Sequence, residues 1–203
     1  MEFILATNNT HKKDEFDSIL APHTVLLPRD AGIDFYFEET GKTYFANAYG
    51  KAFHLFQQLR KQDNHLPVIA DDSGLSVHAL GGAPGIYSSR YGTRPENHEK
   101  LPADQRNKYL LEKLINVRDR HAFFVCCLVC IFSEYRFYTV QETLEGEIAE
   151  TRGGGGGFGY DPVFYLPRYG KTVAELPEKT KNVLSHRGKA GNVMLKTLEG
   201  AEV

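Results

Sequence analysis

The stretch VIADDSGL, Val68–Leu75, decides how this chain is read. An apolar run suited to a buried strand drives straight into two adjacent acids, Asp71 and Asp72, and Ser73 and Gly74 follow at once. Apolar runs bounded by Asp, Ser and Gly read as strands that stop there. The pattern therefore predicts a central strand, a break at the acids, and a second short strand through LSVHAL. Two like charges this close repel, and burying either costs free energy. Strand alternation relieves part of the conflict by sending successive side chains to opposite sides. One acid is then expected to face a cation, and the other to find donors of its own.

Outward from that strand the chain alternates between strand and helix patterns. EFILAT is a short strand candidate, and in NNTHKKDEFDSILA the residues Phe16, Ile19 and Leu20 recur at helical spacing. HTVLLP suits a second strand. A long helix is predicted from a Thr43 cap to about Arg60, with Phe45, Ala48, Ala52, Phe53 and Phe56 as its apolar stripe. GGAPGIYSSRYGTRPEN, residues 81–97, reads as an ordered loop, with a helix after it over about 104–117. Two long strands, over about 121–132 and 136–148, meet near SEY and can form an antiparallel hairpin. The glycine tract Gly153–Gly157 precedes packed aromatics, so it reads as a mobile binding loop rather than a linker. A last helix is predicted over about 185–198. The alternation is that of an α/β fold.

With 203 residues, 41% hydrophobic and 25% charged, the chain reads as a soluble globular protein: one domain over 1–203, or two joined lobes. Its formal net charge of -2 supplies no field to recruit nucleic acid or an anionic membrane. MEFILATNN has neither a basic start nor a long apolar run, so a signal peptide is not expected. The three cysteines all fall in FFVCCLVCIF, an odd cluster that fits a reducing cytoplasm better than a disulfide framework. On a strand, Cys127 and Cys130 face apart, while Cys126 and Cys130 share a face but lie about 13 Å from each other. They are expected to be small buried hydrophobes.

Five blocks carry residues suited to chemistry. The loop TNNTHKK leaves a strand and opens a helix, where free N–H groups and a positive dipole end suit a phosphate. Thr7, Asn8, Asn9, Thr10 and His11 line it and Lys12 adds a cation. In EETGKTYFANAYGKA, Asn47 and Lys51 are four apart on one helix face. Asp71 and Asp72, with Glu38 or Glu39, offer the hard oxygens that Mg²⁺ prefers, and Ser73 beside them can donate to a phosphate. In GGFGYDP, Phe158 and Tyr160 are flat faces on which a base could stack, Gly159 lets backbone approach, and Asp161 can accept from a base edge or ribose. In EKTKNVLSHRGKA, Lys181, His186 and Arg187 crowd a helix start, where cations oppose the dipole unless an anion or electron-rich edge lies between them. Each block alone also fits a plainer role: a capped helix, a solvated face, turn-forming aspartates, a Gly-rich turn.

Together and in this order, Thr7-x-Asn9-x-x-Lys12, EETGKTYFANAYGKA, ADDSGLSVHALGGAPGIYSSRYG, GGFGYDPVFYLP and KTVAELPEKTKNVLSHRGKA resemble the inosine triphosphate pyrophosphatase family, the non-canonical purine nucleoside triphosphatases. The matching blocks span nearly the whole chain. The resemblance implies an elongated two-lobed α/β fold with a long mixed sheet and a cleft between the lobes, and a homodimer. It implies Mg²⁺-dependent cleavage of ITP, dITP or XTP to monophosphate and pyrophosphate, which cleanses the nucleotide pool. By the same resemblance Asp72 is the catalytic acid and a metal ligand, and Ser73 a substrate contact. Thr7 to Lys12 form the triphosphate loop, with Lys51 directed at the phosphates. Phe158 to Asp161 bind the base, and Lys181, His186 and Arg187 close on the substrate. Glu38 is the first choice for a second metal ligand, with Glu39 competing. RNKYLLEKL and the Cys-rich strand stand outside these motifs, and the glycine run is longer than the family pattern implies. The acids argue against a non-catalytic nucleotide sensor, since a pure binder needs no water-activating carboxylate. A pyrophosphatase of the Maf-like type, with another base preference, is the nearest rival.

Overall fold

In the computed structural model, which describes residues 1–93 and 100–200, the stretch around Asp71 and Asp72 is one unbroken strand, Val68–Val77. The expected break at the acids is absent, because both carboxylates find partners inside the fold and the strand need not end to reach water. The elements in chain order are β1 (Glu2–Leu5), α1 (Thr10–Ile19), β2 (Thr24–Leu26), α2 (Tyr44–Lys61), β3 (Val68–Val77), β4 (Pro84–Gly85) and α3 (Ala103–Lys113). There follow β5 (His121–Ser133), β6 (Arg136–Ile148), β7 (Phe164–Leu166), β8 (Lys171–Thr172), α4 (Glu178–Leu184) and α5 (His186–Glu199). The predicted helices and strands match these closely, and residues 94–97 of the expected loop lie outside the described residues. This is a mixed α/β fold whose sheet has the order β2-β1-β3-β5-β6-β7-β8, with β4 on β3. Among the described residues no helix is long and apolar enough to cross a membrane.

The chain divides into two units, and β3, β5 and β6 contribute residues to both. The first unit takes Met1–Asp72, Cys126–Glu142 and the chain from Asn182 on. Here β1 pairs parallel with β2 and with β3, in the register Phe3↔Val25 and Leu5↔Ile69. Alternation sorts the strands onto two faces. Ile4, Val68, Ala70, Cys127 and Val129 pack beneath Ala48, Ala52, Leu55 and Leu59 of α2. Phe3, Leu5, Ile69, Cys126 and Cys130 pack beneath Phe16 and Ile19 of α1 and Ala190 and Met194 of α5. The cysteines are buried hydrophobes on opposite faces, as the strand pattern requires, and burial pushes the Cys130 thiol far up.

Local signals start the helices of this unit. Thr43 caps α2 by accepting from Ala46 N at 3.0 Å, and Arg60 and Lys61 in its last turn complement the dipole. Ser185 caps α5 by accepting from Gly188 N at 3.0 Å. Gly191 lets α5 lie against α1, since a Cβ there would sit 2.2 Å from Ile19 Cγ2.

The second unit takes Ser73–Val125 and Thr143–Lys181. Its half of β3 pairs antiparallel with β4 (Leu75↔Gly85), the end of β6 pairs with β7 (Glu147↔Tyr165), and β7 pairs with β8 (Tyr165↔Thr172). Arg120 ties this unit together by donating to the carbonyls of Leu114, Ile148 and Ala149. The glycine tract is fastened here rather than loose. Gly153 N donates to Pro162 O at 2.8 Å, Gly156 N to Ala174 O at 3.2 Å, and Thr172 Oγ1 to Gly153 O at 3.0 Å.

Candidate active site

In the first unit, Asp71 and Asp72 leave β3 on opposite faces. Asp71 shares the face of Ile69, under α1 and α5, and Asp72 shares that of Ala70, under α2. Asp71 is 1% exposed and accepts from Lys12 Nζ at 2.9 Å and from Arg187 Nη2 at 3.3 Å. The other terminal nitrogen of Arg187 donates to Glu15 Oε2. Lys12 and Glu15 are three apart and so share a face of α1. Burial alone would raise the Asp71 carboxyl, but Lys12, Arg187 and Lys51 hold it far below the usual carboxylate range. Burial likewise disfavours the Arg187 charge, yet Asp71 and Glu15 outweigh it and raise the group.

Asp72 is 5% exposed, and burial pushes its carboxyl up to about 6. The hydrogen bond from Asn47 Nδ2 to Asp72 Oδ2, at 2.9 Å, restrains the rise, while Glu39 adds to it. Asn47 Oδ1 accepts from Gly41 N at 2.8 Å, which fixes the amide with its donor toward Asp72. Lys51, one turn further along α2, pairs with Glu39. Burial opposes both charges of that pair, but their mutual attraction prevails, so Glu39 is lowered and Lys51 raised. Of the two candidate glutamates, the structure brings Glu39 to this cluster, whereas Glu38 is exposed. A carboxyl perturbed this far toward neutrality, with a fixed donor beside it, suits proton transfer near pH 7.

The first loop is partly spent on its own helix. Asn9 caps α1, accepting from His11 N at 3.0 Å and Lys12 N at 3.4 Å, and Asn9 N donates to Thr7 Oγ1 at 3.2 Å. Asn8 Nδ2 donates to Phe35 O at 2.7 Å, which ties the loop to the segment before α2. Thr10 and His11 are exposed. His186 opens α5 and is 7% exposed. The Arg187 guanidinium, expected to reach the substrate, serves as the brace of two buried carboxylates and is 3% exposed.

In the second unit, Ser73 is half-buried in β3. Asp161 Oδ2 accepts from Phe158 N at 2.9 Å and from Lys181 Nζ at 2.9 Å, and that ammonium lies 4.9 Å from the Phe158 ring centre. Phe158 is half-buried with that ammonium over its ring. Tyr160 is 5% exposed and its hydroxyl donates to Ser88 O at 2.9 Å. Tyr160 therefore anchors the segment instead of offering a stacking surface. Gly159 bends it in the left-handed region, at φ +63.

Among the described residues no group of three or more His, Cys, Asp or Glu is arranged to hold a metal alone. Mg²⁺ is ordinarily bound by one or two carboxylates with waters and substrate phosphates completing its shell. Asp72 and Glu39 are hard oxygen donors, and the Glu39 charge adds to the rise of the Asp72 carboxyl, so the pair fits that demand.

Sequence reasoning missed Glu15, whose signal is its three-residue spacing from Lys12, and it grouped Asn47 with Lys51 on one helix face without its partner Asp72.

Residues 3–197 match the Ham1 family. The chain is 49% identical over 190 residues to the dITP/XTP pyrophosphatase of Treponema denticola, covering 94% of each chain. It is 42% identical over 204 residues to that of Clostridium perfringens, covering 98% of each. Among solved structures, the Staphylococcus aureus Ham1 protein superposes with a TM-score of 0.84 at 38% identity, over 99% of this chain and 100% of that one. A HAM1 protein from Coxiella burnetii gives 0.85 at 35% identity, over 98% and 99%.

Proposed function

The chain belongs to the Ham1 family, and on that premise we propose that it is a nucleoside triphosphate pyrophosphatase. It converts ITP, dITP and XTP to their monophosphates and pyrophosphate, as a homodimer in the cytoplasm, and so clears deaminated purines from the nucleotide pool. The observation that carries the reading is Asp72, a buried carboxyl raised to about 6 and held by the oriented amide of Asn47. Such a group is ionised at neutral pH yet basic enough to take a proton from water.

In this reading Asp72 accepts the proton as water bonds to the α-phosphorus and the bond to the leaving pyrophosphate breaks. An ammonium carries three N–H donors, so Lys12 and Lys51 retain donors beyond Asp71 and Glu39 for the β and γ phosphates. Asp72 and Glu39 would hold Mg²⁺, which would supply neutralisation of the phosphate charge. Phe158 offers a face to the base, and Asp161 with Lys181 offers an acceptor and a donor to its edge. Preference for a 6-keto base requires N–H donors, because the amino group of ATP would leave them unpaired. On α5 that role is assigned to His186, together with backbone N–H groups, since the Arg187 guanidinium serves Glu15 and Asp71.

Product identification from ITP, with Mg²⁺ and with EDTA, tests the proposal. Pyrophosphate and IMP with Mg²⁺ alone are expected. Free phosphate and IDP would overturn the reaction class, and equal kcat/KM for ITP and ATP would overturn the selectivity.

A further inference from the structure

The helix α3 carries a polar side chain where its packing calls for an apolar one. Asn107 is 1% exposed and stands three and seven residues before Leu110 and Leu114, both buried, so it continues the apolar stripe of the helix. Its Nδ2 donates to Gly159 O at 3.1 Å, while its Oδ1 is buried without a partner among the described residues. A buried carbonyl left unpaired costs free energy that an apolar side chain there would not incur. The bond to Gly159 O, which the Asn107 side chain makes among the described residues, must therefore account for it.

That bond goes to the residue on which the aromatic turn pivots. Gly159 is in the left-handed region at φ +63, between Phe158 and the Tyr160–Asp161 pair. The turn closes on itself through Asp161 N to Phe158 O at 3.2 Å and Phe158 N to Asp161 Oδ2 at 2.9 Å. Neither contact fixes where the turn stands on the rest of its unit. Its contacts to the rest of the unit include Lys181 Nζ to Asp161 Oδ2 at 2.9 Å, Tyr160 Oη to Ser88 O at 2.9 Å, and Asn107 to Gly159 O, the last of which reaches the pivot itself. Arg106, next in the chain, also lies against the Tyr160 hydroxyl. We propose that Asn107 is a positioning residue, which sets the orientation of the Phe158–Asp161 turn and thereby the affinity for the base. This rests on the base-binding role proposed above for that turn. It also gives a task to RNKYLLEKL, the segment that stood outside the family motifs.

The test uses Asn107→Ala and Asn107→Leu in the full chain, with three readouts: ITP kinetics, Ki of inorganic triphosphate as a base-free competitor, and Tm. In both variants KM for ITP is expected to rise about tenfold, the scale of one lost hydrogen bond. The kcat and the Ki for inorganic triphosphate stay as in the wild type. Asn107→Leu keeps the branched shape and removes the stranded Oδ1 while taking the Asn107 donor from Gly159 O, so its Tm stays near that of the wild type and it decides the matter if Asn107→Ala fails to fold. An unchanged KM, a parallel loss of ITP and inorganic triphosphate binding, or a Tm collapse in Asn107→Leu overturns the proposal. If the wild type releases no pyrophosphate from ITP, the function itself falls. If it does and the variants match it, only this inference falls.

Discussion

Asp71 and Asp72 are neighbours in β3 with opposite proton affinities: Asp71 is clamped as a carboxylate by Lys12 and Arg187, and Asp72 is raised to about 6. The strand sends one toward α1 and α5 and the other toward α2. Two like charges thus sit side by side at tolerable cost, because one is neutralised by cations and the other holds its proton more tightly.

Asp72→Asn is expected to lower kcat by about 10²–10⁴-fold, the usual contribution of a positioned base, with ITP still bound. Steady-state kinetics with Mg²⁺, alongside a binding isotherm for ITP, make the measurement. Turnover near that of the wild type would remove Asp72 from the chemistry.

The raised Asp72 carboxyl also makes stability depend on pH. Its ordinary value is 3.8 and its folded value about 6, so the native state holds the proton more tightly. The stabilisation is full below 3.8 and is lost as pH rises through about 6. In metal-free protein at pH 7, Asp72→Asn should therefore be the more stable form, by on the order of 2 kcal/mol. Denaturant unfolding in EDTA between pH 4 and pH 7 reads the difference, and a less stable variant at pH 7 contradicts it. In an NMR titration, Asn47→Ala should move the Asp72 pKa further up by removing its donor, and Mg²⁺ should move it down.

Arg187→Ala takes the guanidinium from two buried carboxylates, Glu15 and Asp71, while Lys12 still donates to Asp71, and should cost about 3–5 kcal/mol in urea unfolding. Arg187→Lys should recover only part of this, since a single ammonium lacks the fork that serves both acids. A loss in Arg187→Ala below about 1 kcal/mol, the worth of a surface ion pair, would mean that the network is not a brace.

Two glycines of one tract should respond differently to alanine. Gly157 has φ +70, and a Cβ there would lie 2.3 Å from Asp161 Oδ2, the atom that holds Phe158 N and Lys181. Gly155 has nothing within 4 Å of an added Cβ. Gly157→Ala should raise KM for ITP and lower Tm, while Gly155→Ala should leave both close to wild type. Equal behaviour of the two would show that the tract acts as a loose linker.

Much of the architecture is legible along the chain because its signals are local. Thr43 and Ser185 announce their helices through hydroxyls that reach N–H groups three residues on. Cys126 and Cys127 declare opposite faces through the two-residue period of a strand, and the packing obeys. The five blocks that carry chemistry are readable for the same reason, as residue types at short spacing.

The unbroken course of β3, the duties of Glu39 and Asn47, the burial of Tyr160, the fastening of the glycine tract and the use of Arg187 as a brace are decided only by the tertiary structure. Asp71 meets Lys12 from 59 residues away and Arg187 from 116 away, and no local pattern encodes such a meeting. Read alone, DDSG is the end of a strand, since desolvated acids should turn toward water. Once folding brings cations and an oriented amide to them, the solvation they lose is replaced, and the strand can run on through the acids.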